Sequence, residues 1–238
     1  MCGRYMLRHS TQQIVLRFEV AEVIDATFAE MTADAPRYNI APTQPIDVIT
    51  ENSPRTLEMM RWGLVPSWAK DTSIGNKLLN ARAETLMEKP SFRTALARRR
   101  CLIPADGFYE WKKLGTTKLP LCIHREDDEL FAFAGLWDEW TSPDGSPLRS
   151  CTIITVAPNS LMATIHNRMP AILRREDEAR WLDSSQRSIP DLLSLLAPYP
   201  DQEIEAFPVS NTVNSVGNDS AACIEAIDTP ASDLTFTF

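Results

Sequence analysis

The sequence of 238 residues has little of what secreted, metal-dependent or membrane proteins require. Its five cysteines are scattered without a CxxC pair, and there are three histidines to help them, so we expect neither a disulfide framework nor a metal site. No run of about eighteen apolar residues is present, and the N-terminus lacks the apolar stretch of a secretory signal. We therefore expect no cofactor, no membrane segment and a cytoplasmic, nucleoid-associated protein.

Charge is distributed unevenly along the chain. The net charge of −8 by itself argues against non-specific binding to nucleic acid. Residues 1–125, however, contain 18 Lys and Arg against 13 Asp and Glu, whereas residues 126–238 contain 6 against 19. The two balances are +5 and −13, so the overall charge conceals a basic half.

Hydrophobic spacing and turn residues predict one domain of mixed secondary structure. Apolar residues recur at helical spacing over 11–31, which predicts a helix capped by Ser10 or Thr11. Residues 32–45 are expected as an extended loop. Further helices are expected from near Asn80 to before Pro90 and at 91–97, 160–165, 174–182 and 190–196. Strands are expected at 46–50, 56–62, 101–111, 119–124, 130–137, 150–156, near 207 and at 222–227. This irregular order favours an α+β fold over a doubly wound one.

Cys2 has the most distinctive chemistry in the chain. Removal of Met1 would leave its thiol and a free α-amine on adjacent carbons, and such a 1,2-aminothiol condenses with an aldehyde. The amine forms an imine, and the thiolate then closes a thiazolidine ring. Ordinary pKa values of about 7.7–8.0 for the amine and about 8.5 for the thiol predict that neither needs a large shift. Position alone does not distinguish this role from that of a small residue after the initiator Met.

Several other segments combine polar or charged residues with aromatics, glycine or proline, which is unusual for simple core. After Cys2-Gly3-Arg4-Tyr5 come RYNIAPTQ (37–44), MRWGLVPSWAKD (60–71), NARAET (80–85), PADGFYEWKK (104–113) and IHNRMPAIL (165–173). In this order they resemble the SRAP family, named for SOS response-associated peptidases and known as sensors of abasic sites in single-stranded DNA. The resemblance runs from Cys2 to about Gly217. It implies a single α+β domain over 1–238, with curved, mostly antiparallel, barrel-like sheets, peripheral helices and a basic cleft.

The resemblance implies a catalytic set of Cys2, Asn80, Glu110 and His166. Glu110, between two aromatics, would have a partly desolvated carboxyl that shuttles protons during imine formation and ring opening of the sugar. His166 would protonate the sugar ring oxygen or assist reversal, because an ordinary pKa of about 6.5 lets it act both ways. Asn80 would hold the N-terminal amine or a sugar hydroxyl from a helix N-cap, or serve only as that cap.

A DNA-binding surface is implied in the same way. Arg4, Arg82 and Arg168 would reach phosphates beside the lesion. Trp68 and Trp111 offer faces on which unpaired bases stack, worth about 1–3 kcal/mol per base. Further positions, which line the same cleft or else serve packing, are Asn39, Pro42, Thr155, Ser210 and Asn214. The run Arg98–Arg100 is expected to be a solvated helix end, with an extension of the basic surface as the alternative.

Three functions follow from these residues. A DNA-damage protein that crosslinks to the aldehyde of an abasic site, with strand cleavage by β-elimination as a second outcome, needs the amine and the thiol of Cys2. A cysteine peptidase, including one that removes its own Met1, would use Cys2 with His166 and Glu110 or Asn80. A non-catalytic single-strand binding module needs neither group. We expect the first, acting as a monomer on single-stranded DNA.

Overall fold

The computed structural model describes residues 2–24, 35–51, 54–186 and 188–228. Its strands are β1 (Tyr5–Leu7), β2 (Glu22–Val23), β3 (Arg37–Ile40), β4 (Pro45–Glu51), β5 (Arg55–Trp62), β6 (Asn80–Arg82), β7 (Arg100–Ala105), β8 (Gly107–Leu114), β9 (Thr117–Arg125), β10 (Phe131–Thr141), β11 (Pro147–Val156), β12 (Met169–Pro170) and β13 (Ile204–Pro208). Its helices are α1 (Thr11–Phe18), α2 (Pro90–Arg98), α3 (Ser160–Ala163), α4 (Arg175–Leu182) and α5 (Ile189–Ser194). Short 3-10 helices lie at Thr72–Lys77, Ala83–Thr85, Asp201–Glu203, Asn211–Asn214 and Ala221–Cys223.

Five of the strands close into a barrel. β4, β5, β11, β10 and β7 form a hydrogen-bonded ring, because β5 pairs with β4 on one side and with β11 on the other. Tyr5 of β1 packs edge to face against Trp62 and Phe133 of the barrel strands, with ring centroids 5.5 and 5.8 Å away. These buried aromatic contacts fix the N-terminal strand against the barrel.

A second sheet has the strand order β13-β9-β8-β1-β3, with antiparallel pairing throughout. α2 and α4 pack against β7 and β10 from outside the barrel. The predicted α+β class, with mostly antiparallel barrel-like sheets and peripheral helices, is confirmed. None of the helices in the four described ranges is long and apolar enough to cross a membrane.

The helix predicted over 11–31 is wrong beyond Phe18. It begins as predicted, with a reciprocal capping box between Ser10 and Gln13. It ends because Glu19 adopts a left-handed conformation at φ 53°, after which β2 pairs in parallel with β5. Residues 22–23, whose spacing suggested a helix, therefore pair with the edge of β5 as a short strand. The rest of the predicted helix, 25–31, lies outside the described ranges.

The helix predicted from Asn80 is also wrong. Residues 80–82 form β6, which pairs in parallel with β11 at Asn80 and Ile153, and one 3-10 turn follows. The predicted loop at 32–45 contains β3, and the strand predicted over 101–111 is divided at Asp106 into β7 and β8. The last predicted strand is instead a 3-10 turn followed by a single bridge at Ala226.

Arg100 corrects the prediction of a solvated run at Arg98–Arg100. Its side chain is buried, with Nη1 donating to the carbonyl of Leu96 in α2 and Nε to that of Trp181 in α4. Carbonyls in the last turn of a helix have no partner within the helix. Arg100 therefore ties the ends of two helices to β7.

Candidate active site and nucleic-acid interface

Cys2 and Asn80 meet at the centre of the candidate site. Cys2 is fully buried, and its carbonyl oxygen accepts a hydrogen bond of 2.8 Å from Asn80 Nδ2. Asn80 is placed by strand pairing with β11 and is not the predicted helix N-cap. Its Oδ1 is buried and has no hydrogen-bond partner within the described ranges. A buried amide oxygen without a hydrogen bond destabilises the folded state, so this atom is a candidate acceptor for a further hydrogen-bond donor.

Glu110 lies beside the same N-terminal segment. β1 and β8 pair at Tyr5 and Phe108, and the N–H of Tyr109 donates to the carbonyl of Arg4 at 2.9 Å. The same register, continued, places Gly3 opposite Glu110, whose side chain is buried. Antiparallel pairing therefore places Glu110 one position from Cys2 across the two strands.

The environment of the Cys2 thiol opposes its ionisation. Burial raises the pKa of the thiol far above its ordinary value, and the negative charge of Glu110 raises it further. This shift applies to the chain that still carries Met1, whereas the expectation of an ordinary thiol pKa concerns Cys2 after Met1 has been removed and stays a prediction. While Met1 is present, the sulfur is held as a protonated, weakly nucleophilic thiol.

His166 follows α3 and precedes β12. Its main-chain N–H donates to Met162 at 2.7 Å, and its Nδ1 lies 3.1 Å from the main-chain N of Arg168. β12 then pairs with the end of β11, where Thr155 has Pro170 on one side and Arg82 on the other. The His166 segment and β6, which begins at Asn80, thus flank the same strand end.

The side chain of Arg4 is surrounded by neutral groups. We call Arg4 and its neighbours Asn39, Trp111 and Asn214 the Arg4 pocket. Arg4 Nη1 donates to Asn39 Oδ1 and to the carbonyl of Val213, both at 2.7 Å. Its guanidinium carbon lies 5.9 Å from the centroid of the Trp111 ring, and the Trp111 indole N–H donates to Asn214 Oδ1 at 2.7 Å. Burial lowers the pKa of Arg4, and no carboxylate of the described ranges forms an ion pair with it.

Asn39 joins this pocket to the chain segment 211–219. Its Nδ2 donates to the carbonyls of Ser215 and Asn218 at 2.9 and 2.6 Å, while its main-chain N–H donates to Asp219 Oδ1 at 2.9 Å. Sequence reasoning missed Asp219, because nothing in the pattern links it to β3. Ser210, a predicted site residue, caps the 3-10 turn that carries Asn214 by accepting from the N–H of Thr212 at 3.3 Å.

The side chain of Arg168, predicted to bind a phosphate, is instead paired with a carboxylate of the protein. Its Nη1 and Nη2 donate to the two carboxylate oxygens of Glu84 at 2.6 and 3.0 Å, and Nη2 also donates to the carbonyl of Thr155 at 2.6 Å. Thr155, predicted to line the cleft, is fully buried and acts through this carbonyl. Glu84 was missed, although it stands in the NARAET segment with Asn80 and Arg82.

The remaining predicted residues lie at the surface or close to it. Arg82 is exposed and Pro42 is half-buried. Trp68 is 57% exposed on a loop fixed to β10, since Ser67 donates to Asp138 and the carbonyl of Ala69 accepts from the Trp140 indole at 2.7 Å. These anchors connect Trp68 to the barrel rather than to the Arg4 pocket. The structure thus groups Cys2 with Asn80 and Glu110, and Arg4 with Asn39, Trp111 and Asn214.

The chain matches the SOS response associated peptidase (SRAP) family over residues 1–216, and it belongs to that family. It is 48% identical over 228 residues to abasic site processing protein YoqW of Bacillus subtilis strain 168, covering 95% of this chain and 100% of that protein. It is 35% identical over 224 residues to abasic site processing protein HMCES of Xenopus tropicalis, covering 81% of this chain and 66% of that one. A solved structure of a Bacteroides thetaiotaomicron protein superposes with a TM-score of 0.86 at 29% identity, over 95% of this chain and 100% of that chain.

Proposed function

We propose that this protein captures abasic sites in single-stranded DNA by forming a covalent bond to them through Cys2 after Met1 has been removed. The names of its relatives support abasic-site processing as the class of activity. The observation that carries the proposal is the setting of Cys2, whose carbonyl is held by Asn80 and whose thiol feels the charge of Glu110. Loss of Met1 would expose a new α-amine on Cys2, the residue that Asn80 contacts, and Asn80 Oδ1 has no partner in the described part of the chain.

The capture reaction needs no group beyond the two on Cys2. The α-amine attacks the aldehyde carbon of the ring-opened deoxyribose, and water leaves to give an imine. Sγ then adds to the imine carbon, and the thiol proton moves to the nitrogen, which closes the thiazolidine. β-Elimination of the 3′ phosphate from the imine is the competing outcome, and it gives strand cleavage.

Three residues are proposed to assist this sequence of steps. Asn80 Oδ1 accepts a hydrogen bond from the α-amine and orients it toward the aldehyde. Glu110 carries protons between the amine, the departing water and the thiol. His166 acts on the sugar ring oxygen as the ring opens. In this sequence of steps the thiol of Cys2 stays protonated until the imine has formed, so Glu110 does not have to generate a free thiolate first.

The DNA strand is proposed to lie along the side of the site that carries Arg4 and Arg82, with Trp68 and Trp111 as stacking surfaces. Arg4 suits a phosphate because its local partners are neutral. Pro42, Ser210 and Asn214 would shape the same groove, and Arg168, Asn39 and Thr155 would support it from within. This is a non-specific mode of binding, as recognition of a missing base requires.

The test uses protein whose N-terminus is verified as Cys2 by mass spectrometry, mixed with single-stranded DNA carrying one abasic site. We expect a heat-stable band of slower mobility on a denaturing gel. Cys2→Ala should abolish the band, unmodified DNA should give none, and Cys151→Ala, which removes a buried thiol elsewhere, should retain it. If verified wild-type protein gives no band, covalent capture is rejected and the cysteine peptidase takes first place, although the raised pKa of the Cys2 thiol works against it.

A further inference from the structure

We propose that Glu84 is a positioning residue for His166 and acts through Arg168. The inference rests on the proposed function to the extent that His166 is taken to act on the sugar. Glu84 lies in the 3-10 turn directly after β6, whereas His166 lies in the segment between α3 and β12. The two segments are far apart in the sequence, and the side chain of Arg168 connects them.

The guanidinium of Arg168 is fixed by four hydrogen bonds to two elements. Its two terminal nitrogens donate to the two oxygens of Glu84 at 2.6 and 3.0 Å, an arrangement that constrains both distance and orientation. The other two go to Thr155 in β11, one to its carbonyl at 2.6 Å and one to its hydroxyl oxygen at 3.4 Å. The Arg168 side chain is 13% exposed, while that of Glu84 is 54% exposed. The guanidinium is therefore immobilised, and its only anionic partner within the described ranges is Glu84.

The main chain of Arg168 in turn determines the protonation pattern of His166. The Arg168 amide N lies 3.1 Å from His166 Nδ1, with its hydrogen directed at that nitrogen, and the Arg168 carbonyl oxygen lies 3.3 Å from it. The amide can only donate. The shorter of the two contacts, with the amide N–H donating to a lone pair on Nδ1, favours the neutral imidazole that carries its proton on Nε2, whereas an Nδ1–H would donate to the Arg168 carbonyl instead. An Nε2–H group is a hydrogen-bond donor suited to an oxygen of the sugar.

Glu84 is the part of this arrangement that can be removed without disturbing the core. Without its carboxylate, Arg168 keeps only the bonds to Thr155, and residues 166–168 lose their side-chain connection to the turn after β6. The geometry that fixes Nε2 as the proton-bearing nitrogen would then relax. Small displacements of a catalytic group lower rates steeply, because reacting atoms must approach within a narrow range.

A competing role for Glu84 predicts a different result. If Glu84 only neutralised Arg168 and kept it from DNA phosphates, its removal would strengthen DNA binding and leave the reaction of bound DNA unchanged. If it positions His166, its removal slows the reaction of bound DNA, and binding is equal or tighter. Binding and reaction must therefore be measured separately.

The experiment compares Met1-processed wild-type protein with Glu84→Gln and with Glu88→Gln, which makes the same charge change at an exposed position nearby. The dissociation constant is measured with single-stranded DNA carrying a tetrahydrofuran analogue, which has no aldehyde. The crosslinking rate is measured at saturating abasic DNA. We expect a rate loss of about tenfold or more for Glu84→Gln, with DNA affinity not weakened. Glu88→Gln should stay within about twofold of wild type.

A spectroscopic measurement makes the inference independent of crosslinking. Long-range proton–nitrogen correlation spectra at pH 8 report which imidazole nitrogen carries the proton. We expect the Nε2–H tautomer for His166 in wild type and in Glu88→Gln, and a mixture of tautomers in Glu84→Gln. An Nδ1–H tautomer in wild type, or an unchanged rate and spectrum in Glu84→Gln, overturns the inference. Wild-type protein that never crosslinks would instead reject the proposed function, and the spectra would still decide the role of Glu84.

Discussion

Arg4 and Arg168 were predicted to play the same part, yet the protein places them in opposite electrostatic surroundings. Arg4 donates to an amide and a carbonyl and lies over the Trp111 ring. Arg168 donates to both oxygens of Glu84. Among the described residues, no carboxylate forms an ion pair with Arg4, whereas the charge of Arg168 is locally neutralised. Arg4 is therefore suited to attract an anion, whereas Arg168 is suited to orient the segment that carries it.

The contrast extends to how each region is built. The Arg4 pocket depends on segment 211–219, which is attached to β3 by the side chain of Asn39 and by the carboxylate of Asp219. Arg168 depends on one half-exposed carboxylate and one carbonyl of β11. A buried hydrogen-bonded network costs more to break than a half-exposed ion pair, which water can partly replace. The two regions should therefore respond to substitution with different magnitudes.

Asn39→Ala should have the largest effect, because it breaks the Arg4 pocket from within. Asn39 is 1% exposed, and its amide accepts from Arg4 and donates to the carbonyls of Ser215 and Asn218. Leaving a charged donor and several carbonyls without partners should lower the free energy of unfolding by about 3 kcal/mol. Urea denaturation followed by circular dichroism measures this loss. Asn76→Ala, at an exposed position, is the control and should change stability by no more than about 0.5 kcal/mol.

Arg4→Gln tests whether the uncompensated charge serves DNA. We expect its affinity for single-stranded DNA to fall about tenfold, and the slope of log K against log salt concentration to decrease in magnitude by about 0.7. Fluorescence anisotropy over a series of salt concentrations gives both quantities. Arg180→Gln removes an exposed arginine from α4 and should alter neither beyond error. An unchanged slope in Arg4→Gln would mean that Arg4 is only a structural residue.

The comparison also separates what the sequence could predict from what it could not. The resemblance to the SRAP family implied that Cys2, Asn80 and Glu110 act together, and strand pairing together with one hydrogen bond places their segments side by side. The apolar patterns located most of the barrel strands. Asn80 was nevertheless assigned to a helix, because the signal that makes 80–82 a strand is the unpaired edge of β11, which no local pattern shows.

Long-range polar partners were beyond prediction for the same reason. Arg168 and Glu84 both stand in segments that mix charged with other residues, but neither segment indicates that they neutralise each other. Arg100 looked like part of a solvated run, whereas its partners are carbonyls at the ends of two helices. A sequence therefore shows where arginines stand, but the fold determines which of them are paired within the protein and which are left to bind an anionic ligand.

The smallest expected effect concerns the Glu84–Arg168 pair and its dependence on pH. Hydrogen bonds from Arg168 lower the pKa of Glu84 relative to its ordinary value. The stabilisation is therefore fully present above the ordinary carboxyl pKa of about 4.3, and it is lost as the pH falls through the lower pKa of the folded state. Because Glu84 is half-exposed, solvent screening limits the contribution to about 1 kcal/mol or less.

The corresponding measurement is the difference in free energy of unfolding between wild type and Glu84→Gln as a function of pH and salt. It should be largest near neutral pH and low salt, and it should disappear in acid once Glu84 is protonated in both states. The difference in free energy of unfolding between wild type and Arg4→Gln should not disappear in acid, because the hydrogen-bond partners of Arg4 in its pocket do not titrate. Parallel pH profiles for the two variants would contradict the distinction between a neutralised and an uncompensated arginine.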